Sequence, residues 1–236
     1  KALYDNICAR GGEGATTHAC MSGCIIKCSN IYPDEKGKTL VSPLEYETIG
    51  LLGSNLSIGD LDEIARLNYL CNDLGLDTLD IGGAIGIAME EGIIAFGDSK
   101  GAYSLLEEVS KGTVLGRVIG NGTKVTGTVF GAKHVPVVLG QCMPAYEPRC
   151  IKGFGVTYIT NAMGADHTKG CTHKMPLEHQ KPEGQAEASF KSQLGFGLPD
   201  IFGFCLFSAS AFGADKNVLI DLVNSVFDTS YNLEDL

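Results

Sequence analysis

Apolar residues return with helical period over most of this chain. In Asp60–Leu74, the residues Leu61, Ile64, Leu67 and Cys71 recur three and four positions apart, Asp60 can cap the start and Gly75 can close the end in a left-handed conformation. The spacing therefore predicts a helix over 60–74. Ser42-Pro43 offers a cap and a first-turn proline for a second helix over Glu45–Leu52. Further helices are expected near 79–92, 102–111, 184–194 and 215–227, punctuated by Gly112, Gly153, Gly155, Gly195 and Gly213. Only 135–139 and 155–159 carry β-branched runs, and both are read as short strands. Residues 1–40 read as a loop rich in Gly, Cys and Lys, with a turn over 32–37. The fold class that follows is mainly α and multihelical, with few short strands. Periodicity breaks over 132–150, at Lys133-His-Val-Pro and Met143-Pro-Ala-Tyr-Glu-Pro-Arg149, so two helical domains are expected, 1–140 and 141–236. The chain starts at Lys1 rather than Met, and Asn232–Leu236 reads as a cap and an acidic first turn that stops, so a fragment truncated at its C-terminus is expected.

Charge narrows the possible partners. The 28 acidic against 18 basic side chains, net −10, argue against nucleic acid and anionic membranes. No run reaches the roughly 18 uninterrupted apolar residues of a membrane span, and no signal peptide is recognisable at the start. Nine irregularly spaced cysteines, an odd number, suit thiol or metal chemistry in a reducing compartment better than a secreted disulfide framework. The expected location is the cytoplasm.

The cysteines supply the first candidate chemistry. Cys20, Cys24 and Cys28 recur over nine positions in His18-Ala-Cys20-Met-Ser-Gly-Cys24-Ile-Ile-Lys-Cys28, and Gly23 permits the sharp backbone path that convergence requires. With the remote Cys205 they match a four-thiolate iron–sulfur site closed across two segments, whose chemistry is electron transfer. A zinc site of His18 and the three clustered cysteines remains a competing reading, as does a zinc-stapled interaction module built on it. Cys8, Cys71, Cys142, Cys150 and Cys171 read as ordinary buried or surface thiols.

A second pattern occurs twice. Asn72-Asp-Leu-Gly75-Leu-Asp77 and Asp200-Ile-Phe-Gly203-Phe-Cys205 each place a polar acceptor, two residues, a glycine, an apolar residue and a ligand-capable side chain in order. Either segment alone reads as a helix stop with a capping glycine. As a pair, with Cys205 ending the second, they put carboxylate or carboxamide oxygens at two helix ends, where such oxygens can accept from an N–H-rich ring edge such as a pterin.

These motifs together resemble the tungsten- or molybdenum-containing aldehyde ferredoxin oxidoreductase family. The resemblance spans nearly the whole chain. It rests on the cysteine run, Pro43–Asn55, Leu70–Thr78, Tyr146-Glu-Pro-Arg149, Gly164-Ala-Asp-His167 and Asp200–Cys205. It implies the two helical domains of that fold without its β-rich N-terminal domain, which is expected in the same or another chain. It further implies a tungsten or molybdenum bis-pterin beside a 4Fe-4S cluster, an aldehyde or related small molecule as substrate, oxidation to a carboxylic acid, and ferredoxin or another protein as electron acceptor. Carried over residue by residue, Cys20, Cys24, Cys28 and Cys205 become the cluster ligands. Asn72 and Asp77 face one pterin and Asp200 the other. Glu47 and His167 take the catalytic positions near the metal, where a carboxylate can accept a proton from attacking water and an imidazole can donate one to the carbonyl oxygen. Three departures from the family pattern stand out: three residues rather than two between Cys20 and Cys24, Asn72 in place of aspartate, and Met163 in place of arginine. An accessory iron–sulfur subunit without the pterin is the alternative the motifs leave open.

Overall fold

The computed structural model describes residues 1–208, 217–232, 234 and 235. Its helices are α1 (Ala2–Arg10), α2 (Tyr46–Thr48), α3 (Leu61–Leu74), α4 (Thr78–Glu90), α5 (Ser99–Lys111), α6 (Val114–Gly120), α7 (Gly122–Phe130), α8 (Lys152–Thr160), α9 (Gln185–Ile201) and α10 (Asn217–Phe227). The strands are short: β1 (Ala15–His18), β2 (Ser29–Pro33) and β3 (Thr39–Val41) form an antiparallel sheet in that order, and β4 (Val137–Val138) pairs with β5 (Gln141–Cys142). The mainly α, multihelical class expected from the periodicity is the one observed. Positions 215 and 216 of the expected 215–227 helix, Gly213, and Leu233 and Leu236 of the terminal segment lie outside the described residues.

Helix α3 forms as its spacing predicts. The Asp60 carboxylate accepts from the amides of Asp62 (2.7 Å) and Glu63 (3.3 Å), and Ile64, Ala65, Leu67, Asn68 and Cys71 face the interior. Helices α6 and α7 give no clear periodic signal in the sequence, because their four glycines and short lengths hide the period. Helix α9 passes through Gly195, the expected stop, and runs on to Ile201 with Pro199 in its last turn.

Residues 1–40, expected as loop, instead build α1 and the three-stranded sheet. A buried phenol and an ion pair explain the order. Tyr32 of β2 is fully buried and donates to Asp62 Oδ1 at 2.9 Å, while Arg10 at the end of α1 grips both Asp62 oxygens at 2.6 and 2.7 Å. Arg10 also donates to the carbonyl of Pro33 at 3.0 Å, and Asn6 donates to the Tyr32 hydroxyl at 2.9 Å. Bidentate arginine–carboxylate pairing of this kind fixes orientation as well as adding energy. It ties α1, β2 and α3 into one unit.

The expected strand over 155–159 is the middle of α8. Phe154 and Tyr158, one helical turn apart, are 0% and 1% exposed and pack with Ala165, so burial at i and i+4 overrode the β-branched Val156, Thr157 and Ile159. The strand expected over 135–139 shrinks to β4. Ser42 and Pro43 also differ from expectation: the cap of helix α2 is Glu45, three residues beyond Ser42, and Ser42 Oγ instead donates to the Asn30 carbonyl while the Pro43 carbonyl accepts from Asn68.

Two apolar clusters result. The larger gathers α1, the sheet and α3 to α6 around Leu44, Leu52, Leu56, Ile64, Leu67, Ile85, Leu106 and Ile119. The smaller centres on Phe154, Tyr158 and Ala165 with Val138, Met143, Tyr146, Ile151 and Cys171 around them. Between α2 and α3 the chain makes a π-helical turn over Ile49–Gly53 and a 3-10 turn over Ser54–Leu56. Helix α4 can lie against that turn because Gly82 has no side chain; a Cβ there would stand 2.7 Å from the Leu51 backbone.

Candidate active site

The three clustered cysteines lie in a hairpin. Strand β1 ends at His18, which bridges to Cys28 and pairs with Ser29, so Cys20 and Cys28 sit at the neck of the β1–β2 loop and Cys24 near its tip. Gly23 turns the loop with φ of 81°, a left-handed value suited to glycine. Cys20, Cys28 and Cys205 are exposed and Cys24 partly so; none is in a disulfide. Partial desolvation raises the Cys28 thiol pKa although the residue is exposed, and the nearby Cys205, Glu45 and Cys20 push it the same way, so the remote cysteine lies within the loop's electrostatic reach. Among the described residues, no three His, Cys, Asp or Glu side chains converge closely enough to hold a single metal ion. Thiols from two segments, within electrostatic reach of one another, are the donor type that an iron–sulfur cluster binds.

The two glycine patterns adopt the same backbone structure. After α3, the Gly75 amide donates to the Asn72 carbonyl at 3.2 Å and the Leu76 amide to the Cys71 carbonyl at 2.8 Å. After α9, the Gly203 amide donates to the Asp200 carbonyl at 3.1 Å and the Phe204 amide to the Pro199 carbonyl at 2.8 Å. Both glycines are left-handed, φ 67° and 69°, and both closures are Schellman motifs. The helix-stop reading is thus correct for each, and the structural match between them is real. Asn72 is exposed in a shallow surface groove with Thr39, Tyr69 and Asp73. The exposed Asp77 caps α4 through one oxygen, accepting from the Leu79 amide at 2.7 Å, and Asp200 pairs with Lys169.

Glu47 and His167 meet. Glu47 lies in α2 and His167 opens a 3-10 turn over His167–Lys169, yet His167 Nε2 stands 3.3 Å from Glu47 Oε1, with the side chains only 21% and 17% exposed. The other carboxylate oxygen accepts from the Ala145 amide at 2.9 Å. Although close to the imidazole, Oε1 is not aligned for a hydrogen bond, so a buried acceptor is left without a partner. Such atoms are costly unless a further group completes them. Asp166 does not compete for the histidine: it accepts from the amide and hydroxyl of Thr168, both at 2.7 Å.

Aromatic rings set the position of that imidazole. Tyr146 stacks on His167 with centroids 4.6 Å apart and planes 25° apart, and itself packs on Phe154 at 4.9 Å and Tyr46 at 5.4 Å. Burial first, then the neighbouring Glu47, pushes the Tyr146 phenol up to about 12, so it stays protonated. His167 and Tyr146 line a cavity of about 630 Å³ whose wall also includes Cys171, His173, Phe196 and Phe207. Tyr146, Cys171 and His173 were not anticipated as site residues. Tyr146 was visible in the Tyr146–Arg149 motif, and the Cys171-x-His173 spacing could have flagged a thiol–imidazole pair.

Known proteins of similar sequence give the family. A tungsten-containing aldehyde ferredoxin oxidoreductase of Pyrococcus furiosus is 29% identical over 215 residues, which cover 81% of this chain and 35% of that protein. The similarly named protein of Pyrococcus abyssi is 28% identical over 239 residues, covering 90% and 39%. An aliphatic sulfonate oxidoreductase, WOR-like subunit, of Pyrococcus furiosus is 27% identical over 172 residues, covering 62% and 27%. The chain thus spans 35% to 39% of the length of the first two relatives. With residues 10–236 matching the family described as aldehyde ferredoxin oxidoreductase, domains 2 & 3, the chain belongs to the aldehyde ferredoxin oxidoreductase family.

Proposed function

We propose that this chain supplies the substrate-facing and electron-exit parts of a tungsten-pterin oxidoreductase that oxidises aldehydes to carboxylic acids and delivers the electrons to ferredoxin. The observation that carries the reading is the contact between Glu47 and His167, which leaves one buried carboxylate oxygen unpartnered beside an imidazole at a cavity wall. When bound, the tungsten-pterin supplies the two-electron redox chemistry. This chain's residues supply position and protons. Glu47, held by the Ala145 amide, takes a proton from attacking water at Oε1, and His167, fixed by Tyr146, donates from Nε2 to the substrate's carbonyl oxygen.

Cys20, Cys24, Cys28 and Cys205 are the proposed ligands of a 4Fe-4S cluster, which when bound would supply one-electron transfer chemistry. Asn72 and Asp77 are assigned to one pterin and Asp200 to the other, on the strength of their matched helix closures. The division into helical domains at 1–140 and 141–236 draws support from the two apolar clusters, with Val138 of the first domain packing on the second cluster. A cytoplasmic location is supported by the nine irregularly spaced cysteines, a pattern that suits a reducing compartment. Among the described residues, no helix is long and apolar enough to cross a membrane.

Purification without oxygen, followed by metal analysis and an assay for aldehyde-dependent reduction of a low-potential dye, tests the proposal. Tungsten, iron and sulfide together with dye reduction are expected. Iron and sulfide without tungsten would instead identify an accessory electron-transfer subunit. One zinc per chain, with no absorbance near about 400 nm, would overturn the oxidoreductase reading.

A further inference from the structure

Cys171 and His173 take no part in the reaction proposed above, yet both line the cavity that His167 borders. Their contact is close: Cys171 Sγ lies 2.7 Å from His173 Nδ1. The cysteine is held firmly, since its amide donates to Ser192 Oγ at 2.7 Å and its carbonyl accepts from the same hydroxyl at 3.0 Å, pinning the loop to α9. The imidazole ring lies nearly parallel to Phe154, 12° between planes with centroids 6.3 Å apart. Burial raises the thiol pKa and lowers that of the imidazole, so at neutral pH both groups are uncharged, and the sulfur becomes nucleophilic only as its proton passes to the imidazole in contact with it. A nucleophile, a base in contact with it and a cavity for an electrophile are therefore in one place.

We propose that Cys171 is a reversible covalent capture site for an aldehyde, with His173 carrying the proton; the choice of aldehyde rests on the function proposed above. The Cys171 sulfur attacks the carbonyl carbon, a C–S bond forms, and the π pair of the C=O bond moves onto oxygen. The thiol proton passes to Nδ1 and from there to that oxygen, giving a neutral hemithioacetal. No electrons leave the pair of reactants, and the reverse step restores thiol and aldehyde. Capture at this wall concentrates the aldehyde in the cavity that His167 borders. Tyr146, Phe196 and Phe207 favour an aldehyde with an aryl or extended alkyl substituent.

Alkylation of the full chain by iodoacetamide, followed at the peptide containing Cys171 by mass spectrometry, tests the site without any need for turnover. Benzaldehyde is expected to slow alkylation of Cys171 by about fivefold or more, and benzyl alcohol, of similar shape but not electrophilic, is expected to leave it unchanged. His173→Gln should slow alkylation without any aldehyde present. Equal slowing by both compounds, or by neither, overturns the proposal. Oxidation of aldehydes by the complete enzyme without this selective protection would remove the capture site and leave the proposed function standing; selective protection without oxidation would do the reverse.

Discussion

The amide of Ala145 donates to Glu47 Oε2 at 2.9 Å, joining residues 98 positions apart. This bond orients the carboxylate so that its second oxygen faces His167. The approach is tight: a Cβ on Gly50, one turn beyond Glu47, would stand 2.5 Å from the Ala145 Cβ. Glycine at position 50 lets the loop before α8 come close enough for the hydrogen bond.

Replacing Glu47 by Gln in the complete enzyme keeps the shape and the acceptor for Ala145 but removes the proton acceptor. Turnover is expected to fall by about 10²–10⁴-fold while metal and iron content stay unchanged. Steady-state assay alongside elemental analysis checks this; undiminished aldehyde oxidation would take Glu47 out of the reaction.

Cys205→Ala should lower bound iron and the iron–sulfur absorbance, because a remote thiolate closes the proposed site. Cys150→Ala, which changes an exposed thiol away from that set, should leave both intact. An unaltered spectrum for the Cys205 variant would exclude it as a ligand.

Asp62→Asn should destabilise the chain by about 1–3 kcal/mol, read from urea unfolding near neutral pH, since it breaks the charged grip of Arg10. The hydrogen bonds from Arg10 hold the Asp62 carboxyl below its ordinary 3.8. A depressed carboxylate pKa adds stability that is present above the unfolded value and is lost as pH falls through the folded one. The wild-type chain should therefore lose this contribution in acid, starting below about pH 4, and the Asn variant should lack that part of the slope.

Phe154→Ala empties the centre of the smaller cluster, where the ring is fully buried between Tyr146 and Tyr158. A loss of about 3–5 kcal/mol is expected in chemical unfolding. The same change removes the support behind Tyr146, so turnover in the complete enzyme should fall even at temperatures where the variant stays folded. Full activity there would show that the stack on His167 does not need Phe154.

Local signals in the sequence were sufficient for α3, because its cap, its apolar period and its terminal glycine lie within a few residues of one another. They also revealed the likeness of the two glycine closures and the clustering of Cys20, Cys24 and Cys28. The family resemblance was carried by the same short ordered motifs. Tertiary packing decided the rest. Burial of Phe154 and Tyr158 turned an apparent strand into α8, and the Arg10–Asp62–Tyr32 network ordered a segment that reads as loop. The resemblance puts Glu47 and His167 in one site, but only the folded chain shows the two in contact, or Cys171 touching His173 at the same cavity. Periodicity and caps act over one or two turns, whereas these contacts depend on how distant segments pack, and no local pattern in the sequence encodes that.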